Sequence, residues 1–183
     1  MRRSIGTVLV SVVMVLALGL SAGAGGFHFK SFNFTSGSLT FDGVGVGLGN
    51  TEFDAVLSAT ATVTAQCKNK GGTTAPGRND ITASAEGEAT SFTTDDRGQT
   101  NVVLTVADPG LPDLDAPPSS KTDCPNGKWS ISGVSVNEWT SAHLLLTESA
   151  TGAVLFEQDY ICSGGGTMTD ASGNVIPLSC VEA

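Results

Sequence analysis

The sequence predicts an all-β chain: a single β-sandwich of immunoglobulin-like or jelly-roll type over residues 25–183, behind an N-terminal signal peptide at 1–24. Three observations predict it. Apolar residues alternate with Ser, Thr and Gly at a period of two over most of the length, the pattern of strands with one face buried. Clusters of Asp, Gly and Asn interrupt this alternation at short intervals, as hairpin turns do. Strong helix formers are sparse and scattered.

The N-terminus reads as an export leader. Met1-Arg2-Arg3 precedes an uncharged apolar run from Val8 to Leu20, and small residues follow, ending Ala22-Gly23-Ala24. That order is a positive region, a hydrophobic region and a small-residue cleavage site. The run is shorter than the roughly 20 apolar residues of a spanning helix, so cleavage is expected, with no transmembrane segment after it and a secreted, extracellular product. Cleavage removes two of nine basic residues and none of eighteen acidic ones, leaving a net charge of −11. So acidic a chain lacks the Lys and Arg that neutralise phosphates, and nucleic acid is excluded as a partner.

All four cysteines, Cys67, Cys124, Cys162 and Cys180, follow the leader. An even count in an exported chain reads as a disulfide framework. No C-x-x-C pair and no nearby His supports zinc, so no metal and no cofactor is expected. Four cysteines permit three pairings, and sequence alone does not choose among them. We expect Cys67 with Cys124 and Cys162 with Cys180, the second pair because it flanks what reads as a hairpin.

In chain order, Phe27 and Phe29 share one phase and Phe32 and Phe34 the other, so an extra residue near Lys30-Ser31 predicts a β-bulge. Val44-Gly-Val-Gly-Leu-Gly49 leaves one strand face without side chains, which predicts close packing against that backbone rather than a ligand platform. From Phe53 to Cys67, Ala59, Ala61, Val63, Ala65 and Cys67 fall on one side and Thr60, Thr62 and Thr64 on the other. Further strands are expected at 81–89, 100–107, 128–136, 142–147, 153–161 and 175–178. Turns are expected at 94–99, 148–152 and 170–174. The segment 108–124, rich in proline, is not a central strand and is expected to cross between sheets.

Two stretches are more particular: Cys67-Lys-Asn-Lys-Gly-Gly-Thr-Thr-Ala-Pro-Gly-Arg-Asn79, and Cys124-Pro-Asn-Gly-Lys-Trp129 with the alternation that follows it to Leu146. Together they resemble a group of uncharacterised secreted bacterial β-sandwich proteins that pair a C-x-N-x-G-G…P-G-x-N loop with a later C-P-N-G-x-W strand start. The resemblance covers about half of the chain after the leader. It implies export, a β-sandwich and a Cys67–Cys124 bridge, and it brings no activity. Trp129 and Ile131 share a phase and read as core beside that bridge. Trp139, set in the polar run Asn137-Glu138-Trp139-Thr140, reads as an exposed candidate ligand-binding residue.

No catalytic residue is assigned. The chain has two histidines, His28 and His143, no G-x-S-x-G elbow and no H-E-x-x-H spacing, so no enzyme is expected. Asp95, Asp96, Asp108, Asp113 and Asp115 match no calcium loop and read as solvated turn carboxylates. Asn33-Phe34-Thr35 fits an N-glycosylation sequon. The expected function is an exported, non-catalytic module that binds a surface, a cell-surface glycan or a protein. The alternative is an assembly protein associating through strand edges.

Overall fold

The computed structural model describes residues 26–119, 121 and 123–183; the leader expected at 1–24 lies outside them. The described residues form nine strands: β1 (His28–Thr35), β2 (Leu39–Val46), β3 (Glu52–Asn69), β4 (Thr74–Glu86), β5 (Thr90–Thr93), β6 (Gln99–Val106), β7 (Trp129–Glu148), β8 (Val154–Ser163) and β9 (Ser179–Glu182). A short 3-10 turn, Leu111–Asp113, is the one helical element among them. Two antiparallel sheets pack face to face, as the alternation predicts. The smaller has the order β1-β2-β6; the larger has the order β4-β3-β7-β8-β9, with β5 also pairing with β3. The proline-rich segment after β6 crosses from the smaller sheet to the larger, as expected.

The spine of the larger sheet is β3 paired with β7. Strict alternation along β3 sends Phe53, Ala55, Leu57, Ala59, Ala61, Val63, Ala65 and Cys67 into the core. Burying each larger apolar side chain contributes about 1.5–3 kcal/mol. The expected pair of strands at 128–136 and 142–147 is in fact one, the 20-residue β7. Its ladder to β3 shifts register between Thr60 and Ala61, between Thr62 and Val63, and between Gln66 and Cys67. These irregularities let one strand change phase without ending: Val136, Trp139 and Ala142 are buried at steps of three, and Leu144 and Leu146 then resume steps of two.

Trp139 is therefore fully buried, which corrects its reading as an exposed ligand-binding residue. Trp129 and Ile131 are corrected in the other direction: both are half-buried. They sit opposite Asn69 and Cys67 at the far end of the ladder. With 18 and 20 residues, β3 and β7 are more than twice as long as the eight-residue strands of the smaller sheet.

The core between the sheets is aromatic. In β1 the register shifts between Phe29 and Ser31, the bulge that the two phenylalanine phases predict. Phe27 and Phe29 lie edge-on to Phe156, and Phe32 and Phe34 to Tyr160. Phe41 from β2 is fully buried among the β1 rings. The glycine face of β2 points inward to make room for them. A Cβ at Gly43 would stand 2.8 Å from the Phe29 and Phe41 rings, and one at Gly45 would stand 2.6 Å from Phe27. Val44 and Val46 take the outer face.

Two boundaries differ from expectation, and one short strand, β5, was not expected. β4 starts at Thr74, ahead of the expected 81, because its first residues pair with Gln66, Cys67 and Lys68. β5 has only four residues, too short to alternate visibly. At the C-terminus the last strand is Ser179–Glu182 rather than 175–178, and Val175 makes only an isolated bridge to Thr169. The turns expected at 94–99, 148–152 and 170–174 all fall at strand junctions, with Gln99 already opening β6 and Glu148 closing β7.

Candidate functional site

The two particular stretches meet in space, and their residues build a brace. Cys67 is bonded to Cys124, and Cys162 to Cys180; both expected pairings are present. Opposite Ala65, β4 inserts Gly77, Arg78 and Asn79 as a bulge between Pro76 and Asp80. A Cβ on Gly77 would stand 3.0 Å from the Ala65 carbonyl and 3.1 Å from that of Asp123, so the position favours glycine. The bulge docks on the residue before Cys124. Arg78 donates its amide to the Asp123 carbonyl at 2.8 Å, and Asn79 Nδ2 donates to Asp123 Oδ1 at 2.8 Å. Ser119 donates its amide to Asp123 Oδ2, and the Arg78 guanidinium donates to the Pro125 carbonyl at 2.6 Å. Asn69 and Asn126 close the adjoining turns through amides of Thr73 and Lys128. These motif residues fix the crossover to the sheet.

The outer face of the larger sheet carries a different chemistry. Alternation along β3 turns Ser58, Thr60, Thr62 and Thr64 outward. Register sets Glu86, Ser84, Thr82 and Asp80 of β4 beside them in that order. On the other flank, β7 sets His143 beside Ser58, Ser141 beside Thr60 and Ser135 beside Thr64. Two depressions lie in line along this face. One, of about 260 Å³, is lined by Ser58, Thr60, Ser84, Glu86, Ser141 and His143. The other, of about 270 Å³, is lined by Thr64, Gln66, Pro76, Ser135, Asn137 and Thr167, among others. From Ser58 to Gln66 the line runs about 25 Å at strand rise.

Thr64, Asn137 and Thr167 of the second depression are tied to one another and to Asp80 beside it. Asp80 Oδ1 accepts from Thr64 Oγ1 and from Asn137 Nδ2, each at 2.8 Å. Asn137 Nδ2 also reaches Thr64 Oγ1 at 2.6 Å, and Thr167 Oγ1 donates to Asn137 Oδ1 at 3.4 Å. In the first, Thr60 and Ser84 hydroxyls lie 3.3 Å apart. His143 Nδ1 lies 2.7 Å from Asp159 Oδ1, and its Nε2 lies 3.7 Å from Glu157 Oε1. A serine nucleophile would need Nε2 facing its hydroxyl; here that nitrogen faces a carboxylate.

Among the described residues three groups titrate away from their ordinary values, and none lines either depression. Burial first, and the Glu182 carboxylate second, push the Tyr160 phenol up to about 12. Burial raises Asp108. Backbone amides, that of Asn174 foremost and then Ser172, hold Asp170 below the usual carboxylate range. Asp95 and Asp113 accept turn amides from Arg97, Gln99 and Gly110. No cluster of three or more His, Cys, Asp or Glu is placed to hold a metal among the described residues.

No motif in the sequence marks Asp80, Glu86, Gln66, Ser135 or Thr167. The outward threonines of β3 were visible as a phase; their neighbours depend on the register of β4 and β7, which the bulges set. No helix among the described residues is long and apolar enough to cross a membrane. No family model matches the chain, and no curated protein or solved structure matches it either.

Proposed function

We propose that the protein is an exported, non-catalytic module that binds a surface glycan along the outer face of the larger sheet. The observation that carries this reading is the line of two depressions, lined by hydroxyl, amide and carboxylate groups, of which Thr64 and Asn137 are held in place through Asp80 beside them. Sugars present hydroxyls that both donate and accept, and groups already fixed in position bind them at a lower entropic cost. The line is long enough to seat several units of a linear chain. Two disulfides support export, because such bonds persist in oxidising compartments. The test is binding of the secreted protein to a panel of insoluble and soluble polysaccharides, with Thr64→Val, Ser141→Ala and Asn137→Ala as controls. Retention on at least one glycan, weakened tenfold or more in the variants, is the expected result; a panel that retains nothing overturns the reading.

A second reading has its own support. Ile161 of β8 and Val181 of the edge strand β9 are a cross-strand pair, 60% and 58% exposed. Exposed apolar pairs at a sheet edge favour pairing with another chain. Light scattering over a wide concentration range tests it: a monomer throughout argues against assembly.

A further inference from the structure

We infer that this groove selects glycan chains bearing free amino groups over neutral or acidic ones; the inference rests on the glycan reading above and adds the charge of the ligand. The observation is the sign of the groups in register along the face. Glu86 lines the first depression, Asp80 adjoins the second through its bonds to Thr64 and Asn137, Glu138 is opposite Thr62 between them, and Asp159 is opposite His143. Among the described residues paired on this face, only Lys68 and His143 are basic, and both nitrogens of His143 face carboxylates.

The carboxylates are also left with acceptor capacity. Among the described residues Asp80 receives both its side-chain donors on Oδ1, and none reaches Oδ2. Glu86 makes no side-chain hydrogen bond or ion pair with the described residues, yet it lines the first depression. A carboxylate accepts only, and an ammonium donates only. Chain amines set against these two residues would make charge-assisted bonds, whereas uronate or phosphate groups would face like charge from the groove and from a strongly acidic molecule. A neutral polyhydroxyl chain would leave the carboxylates with weaker partners. Aligned, part-exposed ion pairs each add a modest increment, and two of them together give a preference of about tenfold.

The experiment is titration calorimetry of the intact, disulfide-bonded protein. Its probes are a β-1,4-linked glucosamine oligomer with protonated amines, its fully N-acetylated counterpart, and a galacturonate oligomer of equal length. The amine-bearing oligomer is expected to bind about tenfold more tightly than the acetylated one, with galacturonate weakest, and added salt is expected to narrow the gap. Glu86→Gln, at an exposed position, and Asp80→Asn, which keeps an acceptor for Thr64 and Asn137, are together expected to abolish the preference. Equal affinity for amine and acetylated oligomers overturns the charge selectivity and leaves the glycan reading standing. A preference that survives both substitutions overturns the assignment to this groove. No binding of any oligomer, together with an unretained polysaccharide panel, overturns both.

Discussion

Tyr160 and Trp139 are the two largest fully buried side chains, and the hydroxyl of one and the indole nitrogen of the other have no hydrogen-bond partner among the described residues. A buried donor left unpaired costs about 1–3 kcal/mol. Tyr160→Phe is therefore expected to leave stability unchanged or raise it by about 1 kcal/mol in chemical denaturation; a clear loss would show that the hydroxyl is bonded. The same burial sets a pH dependence. With the folded phenol at about 12 and its ordinary value at 10, the unfolded chain loses its proton first. The contribution is fully present below pH 10 and falls as pH rises through 12, so Tm of the wild type should drop over that window more than Tm of the phenylalanine variant. Asp170 has the opposite sign. Its folded value lies below 3.8, so the turn it holds is supported above that pH and loosens as pH falls through the folded value. Amide exchange at Ser172 and Asn174 reads this directly. At Gly45 the Phe27 ring occupies the space of a Cβ, and Gly45→Ala is expected to cost about 1–3 kcal/mol by overpacking, measured as a shift in the denaturation midpoint. Glycine in a strand announced close packing in the sequence, but not which ring would fill the gap.

The unbroken alternation of β3 was readable from the chain, and so was the bulge of β1, which its two phenylalanine phases mark; the bulges of β7 and β4 carry no such mark and were not. β3 keeps one phase from Phe53 to Cys67, so its inward and outward residues follow from the sequence alone. β7 slips phase on both sides of Trp139, so its middle looked like a polar loop and its buried tryptophan like a binding residue. The β4 bulge had a similar effect: Pro76-Gly77 has the chemistry of a turn, yet it sits within a strand because Asp123 satisfies the amide of Arg78 and the side chain of Asn79. That arrangement makes Asp123, only 6% exposed, a brace between crossover and sheet. Asp123→Ala removes charge-assisted bonds and is expected to cost about 2–3 kcal/mol. Replacing Cys67 and Cys124 together by alanine is expected to cost roughly 2–4 kcal/mol. Thermal unfolding of both variants, with Cys162–Cys180 intact, checks the two values, and an unchanged Tm in the Asp123 variant would remove its role as brace.

At the scale of the molecule, the all-β class and the two-sheet sandwich were legible from period, punctuation and cysteine count, since each is a property of the whole composition. The candidate groove was not, because it exists only where β4, β3 and β7 come into register, and no one strand carries it. The two sheets divide the work: the inner faces hold an aromatic core, while the outer face of the larger sheet presents hydroxyls and carboxylates to solvent.

The pattern of covalent links has a mechanical consequence. Cys67–Cys124 closes a loop of sequence separation 57 and Cys162–Cys180 one of 18. Under tension applied at the two ends, even a fully unravelled chain withholds these segments. At about 3.5 Å per residue, the oxidised protein stretches roughly 200 Å less on account of the first loop and about 60 Å less on account of the second. A chain holding on to a surface against flow would thus have a short leash, with β4, β5 and β6 inside the larger loop and off the path of the pull.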